Sequence, residues 1–162
     1  MNRQQRRAEK HAKPRKENRS AKTYFTGFQL EFESFDTVER FFMHMRNGSL
    51  EWEDGEGWVI LGLSGEYLHI LSALEGWITY WHELCLGEDI SYDDSALRRL
   101  AKSLEYEKPL NMAEINAAYA VVGLQRQLYR ALPKQVTTRY AHTVRAQIKR
   151  DDEIKDLIKA VA

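Results

Sequence analysis

Cysteine is nearly absent: the single thiol, Cys85, excludes an intramolecular disulfide and a zinc site built from four cysteines. Long hydrophobic runs are missing too. The most apolar stretches are broken by Glu66, His69 and Glu75, or by Glu114, Arg126 and Arg130, so no bilayer-spanning helix is expected. The first 22 residues are polar and basic, without the apolar segment of a secretory signal. The five histidines (His11, His44, His69, His82, His142) show none of the paired spacings of metal motifs. Gly62-Leu63-Ser64-Gly65 lacks the lysine and spacing of a phosphate-binding loop, and there is no dinucleotide fingerprint. These absences lead to the expectation of a non-enzymatic protein with no cofactor and no metal. What is present is a globular composition, 43% apolar and 30% charged over 162 residues, enough for one domain with a core. The expected location is the cytoplasm of a bacterial host cell.

The formal net charge is zero, yet the charges are segregated. Residues 1–22 carry nine Lys/Arg against two Glu, residues 23–107 carry five basic against 17 acidic, and residues 108–162 carry ten basic against five acidic. Such blocks say more about partners than the balanced total does. The leading block has no large apolar side chain after Met1 and cannot bury enough surface to offset ordering entropy. It reads as a basic flexible arm, helical over 3–13 when bound, with Pro14 ending that helix. The remainder, 23–162, reads as a single globular domain.

Within the arm, Arg3, Arg6, Arg7, Lys10, Lys13, Arg15, Lys16, Arg19 and Lys22 recur partly at three- and four-residue spacing. An induced helix would spread their charges over more than one side. Phosphates along a nucleic-acid backbone are the matching counter-surface, because guanidinium pairs bidentately with them and released counterions add affinity. RNA is favoured over DNA, since arginine-rich segments fold on it. The stretch Arg6-Arg7-Ala8-Glu9-Lys10-His11-Ala12 resembles part of the RNA-hairpin-binding arm of lambdoid phage antitermination N proteins. That resemblance implies RNA contacts for Arg6, Arg7 and Lys10 and hints at phage origin. The sequence departs from the arm at Pro14, where a base-stacking tryptophan is found, and at Gln4, where an arginine is.

The patterning predicts an α+β fold, mostly α: a small β-α-β-β unit over 23–63 packed on a helical bundle over 64–162. Gly27 to Glu33 alternates as a half-buried strand, with Phe28, Leu30 and Phe32 on one face. Asp36 and Glu39 suggest a capping box before Phe41, Phe42 and Met45, and Asn47-Gly48 a helix stop. Leu50–Glu53 and Trp58–Leu61 flank a glycine-rich turn and predict a hairpin. Ser64 is the expected cap of a helix from Gly65 to Leu86, with Tyr67, Ile70, Leu74, Trp77 and Trp81 inward. Ser91 and Asp94 open a shorter helix with Leu97, Leu100 and Leu104 inward. Asn111 and Glu114 cap a helix from Met112 to Leu132, apolar on most sides and expected at the centre of the bundle. Pro133 suits the first position of the next helix, whose core stripe is Val136, Tyr140, Val144 and Ile148. A last helical stretch, continuous with it, carries Ile154, Leu157, Ile158 and Val161.

Opposite that stripe, Lys134, Arg139, His142, Arg145, Lys149 and Arg150 fall on an arc from about 160° to 320° of the helical wheel. Arg139, Arg145 and Lys149 are therefore candidates to extend a phosphate-binding surface begun by the arm. A rival surface is the hairpin, where Glu51, Glu53, Asp54 and Glu56 crowd beside Trp52 and Trp58. Exposed carboxylates with aromatics could occupy a basic nucleic-acid site on a host nuclease or transcription factor. His82 and Cys85 lie three apart on a helix, the spacing of a thiolate–imidazole pair, although a packed cysteine beside a half-wet histidine explains them better. Glu75, His82 and Glu83 invite a metal reading that lacks the usual spacing. The sequence reading is thus a nucleic-acid-binding or protein-binding module of phage or mobile-element type, acting on nucleic acid, a nucleic-acid–protein complex or a nucleic-acid-handling protein.

Overall fold

The computed structural model describes residues 24–25, 34–55, 57–61, 65 and 67–161. The basic arm, the predicted strand over 27–33, and Glu56 and Ser64 lie outside the described residues. The elements in chain order are β1 (Tyr24–Phe25), α1 (Ser34–Arg46), β2 (Glu51–Glu53), β3 (Gly57–Leu61), β4 (Tyr67–His69), α2 (Ile70–Gly87), α3 (Ser95–Glu105), α4 (Met112–Ala131) and α5 (Lys134–Val161). The fold is α+β and mostly helical. Its sheet order is β1-β4-β3-β2, with β1 parallel to β4 and the other pairs antiparallel.

Helix α1 buries Phe35, Val38, Phe41, Phe42 and Met45, an apolar face of helical period. It begins at Ser34, so Asp36 lies in its first turn rather than at its cap, where a carboxylate still suits the helix dipole. Gly48 ends it at φ +62°, a conformation glycine adopts without Cβ strain. The hairpin forms as expected, with Trp52 opposite Trp58 and Glu51 opposite Val59.

The helix expected from Gly65 starts only at Ile70. Tyr67, Leu68 and His69 instead pair with Leu61, Ile60 and Val59 of β3. Tyr67 and Ile70 fit a helical stripe by spacing, but the ladder offered by β3 satisfies the backbone first. From there α2 buries Ile70, Ala73, Leu74, Trp77, Ile78, Trp81, Leu84 and Cys85. This makes α2, not α4, the central helix. Helix α4 turns Met112 and Leu124 outward, 50% and 54% exposed, so its apolar girdle is only partly used.

The Asn111 side chain accepts the Glu114 amide at 2.8 Å, as predicted. The Glu114 carboxylate does not return to the cap but accepts the Ser103 hydroxyl at 2.7 Å, tying α4 to α3. In α3, Leu97, Leu100 and Leu104 are buried as expected. Asp93 rather than Asp94 serves its start, accepting the Ser95 amide at 2.9 Å, while Asp94 pairs with Arg98. Pro133 precedes α5 and accepts the Val136 amide, so it acts as a cap residue instead of the first helical one. Helix α5 runs unbroken for 28 residues. Its buried positions are Thr137 and Val144, with Val136, Tyr140 and Ile148 half-buried, and from Asp151 to Val161 every residue is exposed.

Candidate functional site

Three regions carry side chains that sequence pattern pointed to, and one more emerges only from the fold. The arm residues Arg3, Arg6, Arg7, Lys10, Lys13, Arg15, Lys16, Arg19 and Lys22 lie outside the described residues. On α5, no Asp or Glu occurs between Lys134 and Arg150. Lys134, His142, Lys149 and Arg150 are exposed there. Arg139 is exposed but already engaged: it donates to the Glu88 carboxylate at 2.5 Å and its guanidinium sits 5.0 Å from the Tyr140 ring. Arg145 is half-buried and has partners within the protein. The structure therefore leaves Lys149 as an open cation of the three α5 candidates, and adds Lys134 and Arg150, an exposed residue whose Nε donates to the Ala146 carbonyl at 3.2 Å.

The hairpin divides its residues by strand alternation. Trp52 and Trp58 share one face of the sheet with Ile60, while Glu51 and Glu53 project from the other, because successive strand residues alternate. The two indoles meet edge to face, centroids 5.1 Å apart and planes at 77°. Trp52 stays 44% exposed on β2, the last strand of the order. Gly57 lies beneath it at φ +81°, where a Cβ would be strained. Glu51 and Asp54 are exposed; Glu53 and Asp54 both interact within the protein. Among the described residues, Glu51 and Glu53 thus do not share a face with the tryptophans.

Other carboxylates take their place beside the indoles. A cavity of about 220 Å³ lies between the hairpin and helices α2 and α3, lined by Trp52, Gly57, Trp58, His69, Leu71, Ser72, Glu75, Leu104 and Glu105. Burial, and then the neighbouring Glu105, hold the Glu75 carboxyl above its ordinary range, and Lys155 of α5 partly offsets this. The sequence offered Glu75 only as a weak metal-ligand candidate with His82 and Glu83 and gave Glu105 no role. Their convergence with Trp52 depends on the packing of two helices against a hairpin, which no local pattern encodes.

A second, more open cleft of about 420 Å³ runs along α1, lined by Asp36, Glu39, Arg40, Met43, Arg46, Asn47 and Tyr119. Its guanidinium groups are occupied. Arg46 lies 4.2 Å over the Tyr119 ring and donates to Asn116, Arg40 donates to the Leu61 carbonyl, and Arg126 beside them pairs with Glu39.

The candidate nucleophile is not activated. Cys85 is buried and desolvation pushes its thiol up to about 11, while His82 is exposed. Among the described residues, no three His, Cys, Asp or Glu side chains converge to hold a metal ion, and no helix is long and apolar enough to cross a membrane. No protein-family model matches the chain, and no curated protein and no solved structure matches it.

Proposed function

We propose that this chain is a non-enzymatic nucleic-acid-binding protein, of phage or mobile-element type, that grips RNA through its basic leader and the exposed face of α5. The observation that carries the reading is the uninterrupted basic run of α5. Over 17 residues, about 24 Å at the helical rise, it has five Lys/Arg and no carboxylate. Lys134, Lys149 and Arg150 stand open to a phosphate backbone, and the nine basic residues of 1–22 add to the same field. Equilibrium binding to a single-stranded RNA and to an RNA hairpin tests it. Affinity should fall steeply with salt, drop on deletion of 1–22, and drop again in K134E/K149E/R150E. Salt-independent binding, or full affinity in the deletion, would refute the reading.

A second reading, a protein-binding adaptor or inhibitor, is favoured by one observation. Trp52 is a large indole left 44% exposed on the edge strand, while the exposed Glu51 one residue before it charges the opposite face of the same strand. Reversing Glu51 to lysine should weaken capture of a basic protein partner and leave RNA binding unchanged.

A further inference from the structure

The cavity between the hairpin and helices α2 and α3 has a chemistry opposite to that of α5. Its aromatic wall is the Trp52–Trp58 corner, and indole faces are electron-rich. Glu75 and Glu105 enter from separate helices, and among the described residues neither carboxylate has a cation within 4 Å. Glu105 stands in the last turn of α3, where the backbone dipole already disfavours negative charge. Two neighbouring carboxylates, one of them at a helix C-terminus, do little for folding. What they do create is an open recess of net negative charge, with both carboxylates exposed at its rim, His69 in its wall and Lys155 of α5 offsetting only part of the Glu75 charge.

Size and surroundings narrow the cation. About 220 Å³ falls below the roughly 300–1,000 Å³ of sites for drug-sized ligands, and suits the end of one side chain. The exposed Trp52 beside the mouth offers an apolar platform for residues flanking that side chain. Guanidinium is the best match to this wall. It is planar enough to stack on an indole, weakly hydrated, and carries several donors for two carboxylates.

We propose that this cavity receives an arginine side chain of a basic polypeptide partner, with the guanidinium against the Trp52–Trp58 corner and in reach of Glu75 and Glu105. The proposal rests on the protein-binding reading and uses none of the α5 residues assigned to RNA.

The test is a titration of the full-length chain, labelled for detection of its four indole N–H signals, with tetra-arginine amide at fixed ionic strength. Saturable shifts are expected at Trp52 and Trp58 and not at the buried Trp77 and Trp81. In E75Q/E105Q the apparent Kd should rise at least about fivefold, the loss expected when charge partners leave a cation–π site. The unshifted Trp77 and Trp81 signals of the variant show that its fold is retained. Equal affinity in E75Q/E105Q, or shifts spread over all four indoles, would overturn the proposal. Saturation by guanidinium ion alone at the concentration needed for the peptide would overturn the polypeptide assignment. Binding kept in E75Q/E105Q but lost in E51K would leave the hairpin as a docking surface while removing the cavity from it.

Discussion

Gln125 joins three parts of the fold through one buried amide. It is fully buried on α4, accepts the Trp77 indole N–H at 2.7 Å and donates to the Tyr92 hydroxyl at 2.5 Å. One amide thereby ties α4 to α2 and to the α2–α3 connection. Replacing it with leucine keeps most of the volume, strands the buried Trp77 N–H and takes the partner from the half-buried Tyr92 hydroxyl, so Gln125→Leu should cost about 1–3 kcal/mol in denaturant unfolding. Gly87 is constrained by closeness: a Cβ there would meet the Tyr140 hydroxyl at 1.9 Å and ring carbons at 2.7 and 2.9 Å. Because the ring as well as its hydroxyl must move, and the hydroxyl bonds Glu88, Gly87→Ala should destabilise by about 1–3 kcal/mol. Glu75 has the opposite sign. Its folded carboxyl titrates above the ordinary 4.5, chiefly through burial, then Glu105, against Lys155. Below pH 4.5 both states hold the proton. As pH rises through the raised value the folded chain must give it up, and stability that was present is lost. Glu75→Gln should therefore match the parent chain near pH 4 and show a higher Tm at pH 7, by no more than about 2 °C because the residue is exposed and solvent screens its charge.

At the scale of elements, what was legible followed from single-chain periodicity. The apolar stripes of α1 and α3, the existence of the hairpin and the Asn111 cap all depend on residues within one turn or one strand pair, whereas Gly57, read as part of the turn, pairs with Glu53 as the first residue of β3. The start of α2 was misread because Tyr67, Leu68 and His69 carry no intrinsic preference strong enough to resist pairing with β3. The centrality of α4 was misread because an apolar girdle shows how much surface wants burial, not which neighbour covers it. The cavity was illegible for a related reason: its walls come from β2, β3, β4, α2 and α3, and no sequence window spans them. The last stretch of α5 shows how far such reasoning carries. Ile154, Leu157, Ile158 and Val161 have helical spacing and remain 54%, 66%, 63% and 88% exposed. Since no buried contact depends on them, removing 151–162 should change Tm by no more than about 2 °C. A larger fall in a thermal melt would mean that this stretch is covered in solution.

The whole molecule combines a balanced total charge with strong internal separation, and the balance matters less than where binding draws its cations. For a single-stranded RNA, log K falls with log salt by about 0.7 for each phosphate neutralised. A leader of net +7 that engages fully would contribute a slope near −5, and the open α5 cations Lys134, Lys149 and Arg150 about −2 more. These contributions separate experimentally. Deleting 1–22 should reduce the slope to about −2, and K134E/K149E/R150E should reduce the parent slope by about 2 or more, because the new carboxylates also repel phosphate. A deletion that leaves the slope untouched would mean that the leader's charges are neutralised by the acidic segment 23–107 of its own chain rather than by RNA. A deletion that instead raises affinity would mean the leader competes with RNA for the rest of the molecule. Measuring both variants across one salt series, with E51K as a charge-altered control away from α5, distinguishes a phosphate-binding leader from an internally paired one.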